Sequence, residues 1–115
     1  MAWVDTHCHL YMSDEAADTL LDRATSAGVE WVVCPGVDLE SSLEARRIAA
    51  EHPTRVTWSA GVHPHEASSW PETEGRIRNL ANSAAAVGEC GLDYYRNLSP
   101  PEAQRGAFAG QLGIA

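Results

Sequence analysis

Val29-Glu30-Trp31-Val32-Val33-Cys34-Pro35-Gly36 is the stretch on which the fold turns. An apolar run interrupted only by Glu30 and stopped by Pro35-Gly36 suits a strand buried on both faces, as strands inside a parallel sheet are. The segment before it reads as a helix. From Asp14 to Ala27, Ala17, Leu20, Leu21 and Ala24 recur at helical spacing, Ser13 or Asp14 can cap the start, and Gly28 suits a left-handed residue past the end. Ahead of that helix, Trp3-Val4-Asp5-Thr6 is short and β-favouring. Downstream the unit repeats. A helix is expected over Asp38 to Glu51, with Leu39, Leu43 and Ala50 on one face and Ile48 off it, ended by His52-Pro53. Val56 to Gly61 reads as a third strand, Val62-His63-Pro64-His65 as a loop, Pro71 to Asn82 as a helix, and Ala84 to Gly88 as a fourth short strand. Pro101 to Ala115 looks like a further helix.

Strands alternating with helices imply right-handed crossovers and a parallel sheet, so the fold class is α/β. A closed barrel of eight such units takes about 250 residues, and roughly four strands stand here in less than half that length. The expectation is the amino-terminal half of a (β/α)8 TIM barrel, with residues 1–115 forming a single partial domain and no low-complexity linker.

Composition sets limits. The chain has 115 residues, 44% hydrophobic and 21% charged, as ordinary globular domains do. No apolar run is long enough to cross a membrane and no basic-then-apolar leader is present, so no membrane association and a cytoplasmic location are expected. Cys8, Cys34 and Cys90 are odd in number and widely spaced, which favours reduced thiols over a disulfide framework. A formal charge of −8 argues against a surface that grips nucleic acid by phosphate neutralisation. It does not exclude phosphoester chemistry, because bound divalent ions place positive charge where a phosphate must sit.

Candidate chemistry collects where strands end. In Asp5-Thr6-His7-Cys8-His9, an extended backbone projects His7 and His9 to one side and Cys8 to the other, so one divalent ion can bridge both imidazoles. The pair does not choose the ion, and two satisfied polar groups in a turn are the plainer alternative. His63 and His65 follow the third strand; Glu89 and Asp93 follow the fourth. In parallel α/β folds the carboxyl ends of strands share one rim, which makes these residues one cluster. Each has a bland alternative: loop structure beside Pro64 for the histidines, a solvated carboxylate for Glu89, a turn ordered through its own backbone for Asp93, and a surface cation for Arg96. The cysteines with His7 and His9 could compose a tetrahedral zinc site, but they are expected instead in the layer between sheet and helices, as are Trp3, Trp31, Trp58 and Trp70.

Asp5-Thr6-His7-Cys8-His9-Leu10, Gly61-Val62-His63-Pro64-His65 and Val87-Gly88-Glu89-Cys90-Gly91-Leu92-Asp93-Tyr94-Tyr95-Arg96, in that order and spacing, strongly resemble the TatD family of metal-dependent hydrolases. Gln104, Phe108 and Gln111-Leu112 are similar to a helix that the family carries. The resemblance implies a barrel hydrolase cleaving phosphodiester bonds of DNA by metal-activated water, with two divalent ions (Mg, Mn or Zn). His7 and His9 would ligate one ion, Glu89 would touch or bridge both, and His63 would lie near the substrate phosphate, while phosphate contact is the sharper reading of Arg96 from its charge. The family's further histidine ligands and its metal-site aspartate lie on later strands, so a catalytic residue is not assigned, and the chain is expected to be a fragment with a partial metal site, inactive alone. Exposed half-barrel edges lead to the expectation of a homodimer. Two rival readings stand beside this one. An amidohydrolase-type enzyme on another substrate often uses a carbamylated lysine, and this chain contains no lysine; a non-catalytic fragment would act only as an interaction partner.

Overall fold

A computed structural model describes residues 1–115. Four strands, β1 (Trp3–Asp5), β2 (Val29–Pro35), β3 (Val56–Ala60) and β4 (Ala86–Val87), form one sheet in the order β1-β2-β3-β4, and every pairing is parallel. Four helices, α1 (Ala17–Ser26), α2 (Leu39–Glu51), α3 (Trp70–Ala81) and α4 (Pro101–Leu112), complete a curled half-barrel. Each strand lies beside its sequence neighbour, the arrangement that successive right-handed βαβ units produce. The register sets Val32 against Val56, Cys34 against Trp58 and Ala60 against Val87, so the carboxyl ends of the strands share one rim.

The main core lies between the sheet and α1 and α2, where Val32, Cys34, Val56 and Trp58 meet Leu21, Ala45 and Ile48. A smaller core beyond the end of β3 gathers Val62, Ala67, Trp70, Ile77 and Ala107. It seats the loop after β3 on α3 and α4.

Several expectations are corrected. In β2 only Val32, Cys34 and Pro35 are buried, while Trp31 and Val33 are half-buried, because they face the concave side of the half-barrel, which no helix of this chain covers. The inward face of α2 is Ser41, Ser42, Ala45, Ile48 and Ala49, not the stripe of Leu39, Leu43 and Ala50. Small residues bring that helix close to the sheet, leaving Leu43 38% exposed while Ile48 is 2% exposed. Asp38 closes a capping box with Ser41, whose N–H donates to Asp38 Oδ1 at 2.7 Å, and this sets the rotation. Helix α1 begins only at Ala17; Ser13 Oγ instead accepts the Glu15 N–H in a turn ahead of it. Gly28 is left-handed, at φ 90°, as expected. Trp3 is 59% exposed because β1 is an edge strand, whereas Trp58 and Trp70 are core residues. Strand β4 shrinks to two residues, and a 3-10 turn over Pro64–Ser69 replaces the simple loop expected after β3.

Candidate metal centre

Beyond Asp5 the chain leaves the ladder but stays extended: the Cys8 N–H donates to the Val33 carbonyl at 3.0 Å, so the segment still tracks β2. Alternation therefore holds. Cys8 packs on the main core while His7 and His9 turn to the rim, their Nε2 atoms 3.0 Å apart. His9 Nδ1 lies 3.2 Å from the Pro35 carbonyl and 2.8 Å from the Tyr11 hydroxyl, which itself donates to Pro35 O at 2.7 Å. A carbonyl can only accept, so Nδ1 carries the proton and Nε2 presents a lone pair.

Glu89 arrives from the other side of the sheet. Its N–H donates to the Gly36 carbonyl at 2.7 Å, and Gly88 N–H to Ala60 O at 2.8 Å. This carries the carboxylate across β3 toward β1. The approach requires glycine at 61, where an added Cβ would stand 2.3 Å from the Gly88 carbonyl carbon. Glu89 Oε2 ends 3.1 Å from His7 Nε2 and 3.5 Å from His9 Nε2. The three candidate ligand atoms lie within 4.8 Å of one another. Two imidazole nitrogens and a carboxylate oxygen converging this closely are a donor set for a borderline divalent cation.

The second histidine pair behaves differently. His63 is the N-cap of the 3-10 turn, and its Nδ1 accepts the His65 N–H at 3.1 Å, leaving the proton on Nε2, 3.7 Å from Glu89 Oε1. Burial, opposed by the Glu89 carboxylate, holds His63 below the ordinary histidine range. His65 turns away to Asp93, with Nε2 2.6 Å from Oδ2. The Arg96 N–H on Oδ1, then the His65 contact, hold Asp93 below the usual carboxylate range. Asp93 thus does order its turn, and it also anchors a histidine. Arg96 is exposed on the same loop.

A cleft of about 260 Å³ runs between these groups, lined by His9, Met12, Val37, His63, His65, Glu66 and Glu89. A larger one of about 520 Å³ lies along β4 and the end of α4, but its only ionisable side chain is Arg78; size does not mark the chemistry. Burial pushes Cys34 up to about 11 and also raises Cys8 and Cys90, and none of the three thiols joins the cluster of His7, His9 and Glu89. Cys90 is half-buried and belongs to neither core, contrary to the expectation for it.

Two glutamines of α4 hold the loops in place. Gln111, fully buried, accepts the Val62 N–H at 2.8 Å and donates to Val62 O at 3.0 Å, as a neighbouring strand would. Gln104, equally buried, accepts the Asp93 N–H at 2.7 Å and donates to Ser99 O at 2.8 Å. Sequence reasoning saw both residues only as family likeness. The signal was there: Gln104, Ala107 and Gln111 share one helix face, and an amide on a buried face needs backbone partners. Tyr11 carried no comparable signal.

The family profile described as TatD-related DNase matches residues 4–115. The chain belongs to that family. It is 46% identical over 99 residues to the 3'-5' ssDNA/RNA exonuclease TatD of Yersinia pseudotuberculosis serotype O:3, covering 84% of this chain and 38% of that protein. Among solved structures, YJJV, a TatD homolog from Escherichia coli k12, superposes with a TM-score of 0.78 at 27% identity, over 98% of this chain and 46% of that one. A TatD-family hydrolase from Entamoeba histolytica, with TM-score 0.82 at 20% identity over 96% and 44% of the two chains, shares the fold. The chain thus spans about two-fifths of the length of the curated TatD relatives it matches. No helix is long and apolar enough to cross a membrane.

Proposed function

We propose that these 115 residues supply one wall of a divalent-metal-dependent phosphodiesterase acting on nucleic acid, a single partial domain of a TatD-type barrel. The observation that carries it is the convergence of His7, His9 and Glu89 within 4.8 Å. His7 and His9 hold one ion through Nε2, with His9 locked in the required tautomer by Pro35 and Tyr11. Glu89 would add its carboxylate to that site and could serve a second ion, and the assignment is two divalent ions, Mg, Mn or Zn. Bound there, such ions supply Lewis acidity, lowering the pKa of water and offsetting charge on phosphoryl oxygens.

The remaining steps belong to the chain's own side chains. His63, neutral and with its proton on Nε2, donates a hydrogen bond to a phosphoryl oxygen entering the cleft. Arg96 meets the phosphate backbone at the loop edge. No catalytic acid or base is assigned within these residues, and we place it in the part of TatD relatives that this chain does not span. On that reading the 115-residue chain binds metal but hydrolyses DNA poorly by itself. The free edges of β1 and β4 support a homodimer, which light scattering decides, and three thiols support a reducing, cytoplasmic setting. An amidohydrolase on another substrate has weaker support, since Glu89 stands after β4 and the chain has no lysine.

Calorimetric titration with manganese or zinc tests the proposal. Stoichiometric binding lost in His9→Ala and Glu89→Ala is expected; heats unchanged by both substitutions would sink it and favour a non-catalytic interaction partner.

A further inference from the structure

The loop Leu92–Leu98 presents a run of exposed apolar and aromatic side chains. Tyr95 is 97% exposed, Leu98 66%, Tyr94 50% and Leu92 45%. It is nevertheless held firmly. Asp93 Oδ1 accepts the Arg96 N–H at 3.0 Å, the Asn97 N–H returns to Asp93 O at 3.1 Å, and Asn97 sits at φ 49°. Gln104 grips the loop at both ends, accepting from Asp93 N–H and donating to Ser99 O, while Ser99 Oγ donates to His65 O at 2.7 Å. An aromatic ring displayed on a braced loop loses little conformational freedom when something stacks on it.

Location and charge narrow the partner. The loop begins at Asp93, whose Oδ2 touches His65 in the wall of the cleft that also holds His63 and Glu89. Arg96 follows directly and, like Arg46, Arg76 and Arg105 and unlike Arg23, Arg47, Arg55 and Arg78, forms no ion pair. A ring next to an unpaired guanidinium at the edge of a phosphate site is the arrangement that takes an unstacked base together with its backbone. Of the aromatic residues, Trp58 and Trp70 are core, and Trp3 lies at the opposite, amino end of the strands. Trp31 and Phe108 are half-buried and Tyr11 is committed to His9 and Pro35, which leaves Tyr94 and Tyr95 as the exposed rings beside a cation.

We propose that Tyr95 is a stacking platform for a nucleic-acid base, adjacent to the phosphate that Arg96 and His63 receive. The proposal rests on the nucleic-acid reading of the cleft and deepens it.

The test compares binding of two phosphorothioate-linked oligomers, which resist hydrolysis, to this chain with manganese present: a short oligothymidylate and the same backbone without bases. Wild type is expected to prefer the oligothymidylate about ten-fold or more, the usual loss on removing one stacking ring. In Tyr95→Ala that preference disappears while affinity for the base-free oligomer is unchanged; Tyr95→Phe keeps it. Arg96→Ala weakens both oligomers alike. A full base preference in Tyr95→Ala, with tight binding retained, overturns the platform and leaves the phosphodiesterase reading standing. Failure of wild type to bind either oligomer overturns both, even where metal titration succeeds. Because Tyr95 is almost wholly exposed, its variants retain the wild-type melting curve, which circular dichroism checks.

Discussion

The two His-x-His segments have the same spacing and different fates. His7-Cys8-His9 remains extended along β2, so its rings meet at Nε2 and share Glu89. His63-Pro64-His65 bends into a 3-10 turn, so its rings lie edge to face at 4.2 Å and reach different carboxylates, Glu89 and Asp93. Backbone conformation between the histidines decides whether two imidazoles can serve one ion. It also decides the tautomer: His9 gives its Nδ1 proton to a carbonyl, whereas His63 uses Nδ1 to cap a turn. One ring presents a lone pair and the other a proton.

The contrast breaks if the pairs respond alike to substitution. The largest effect is expected from Glu89→Ala, which should lower metal affinity at least about 100-fold by calorimetry, beyond what loss of an outer-shell partner does. Next comes the brace under the second pair. Gln111→Leu leaves the buried Val62 N–H and carbonyl without partners and should cost about 3 kcal/mol in urea denaturation, with metal affinity retained.

The layer beneath the first pair is probed by pH. Burial raises the Cys34 thiol to about 11 from 9.0, so the folded chain holds this proton more tightly than the unfolded one. That contribution is complete below the unfolded value and is lost as pH climbs from 9.0 toward about 11, an alkaline destabilisation of about 2 kcal/mol that thermal melts of Cys34→Ala should lack. Tyr11→Phe removes a hydroxyl beside His9 Nδ1 and should weaken metal binding about ten-fold. The smallest effect sharpens the comparison most: His63→Ala should leave metal affinity within about two-fold, since its Nε2 carries a proton.

Much of this was legible in the chain. The apolar run ending at Pro35-Gly36 and the helical spacing before Gly28 already imply parallel βαβ units, and the alternation rule alone separates Cys8 from His7 and His9. The inward face of α2 was not legible, because the packed residues are serines and alanines chosen for close approach, and a hydrophobicity pattern favours the bulkier Leu43. Nor was the bend after His63, where a proline excludes one conformation without naming the one adopted.

By itself, then, the sequence determined the fold class, the strand ends that carry the candidate donors and the family, since periodicity, chain punctuation and ordered motifs are local properties. Tertiary structure decided which donors meet. Glu89 reaches His7 and His9 only because β4 hydrogen-bonds to β3, its backbone to Gly36, and Gly61 leaves room for that approach. A cluster of donors assembled from residues 82 positions apart depends on the register of a sheet, and no window of sequence contains that register (His7 to Glu89).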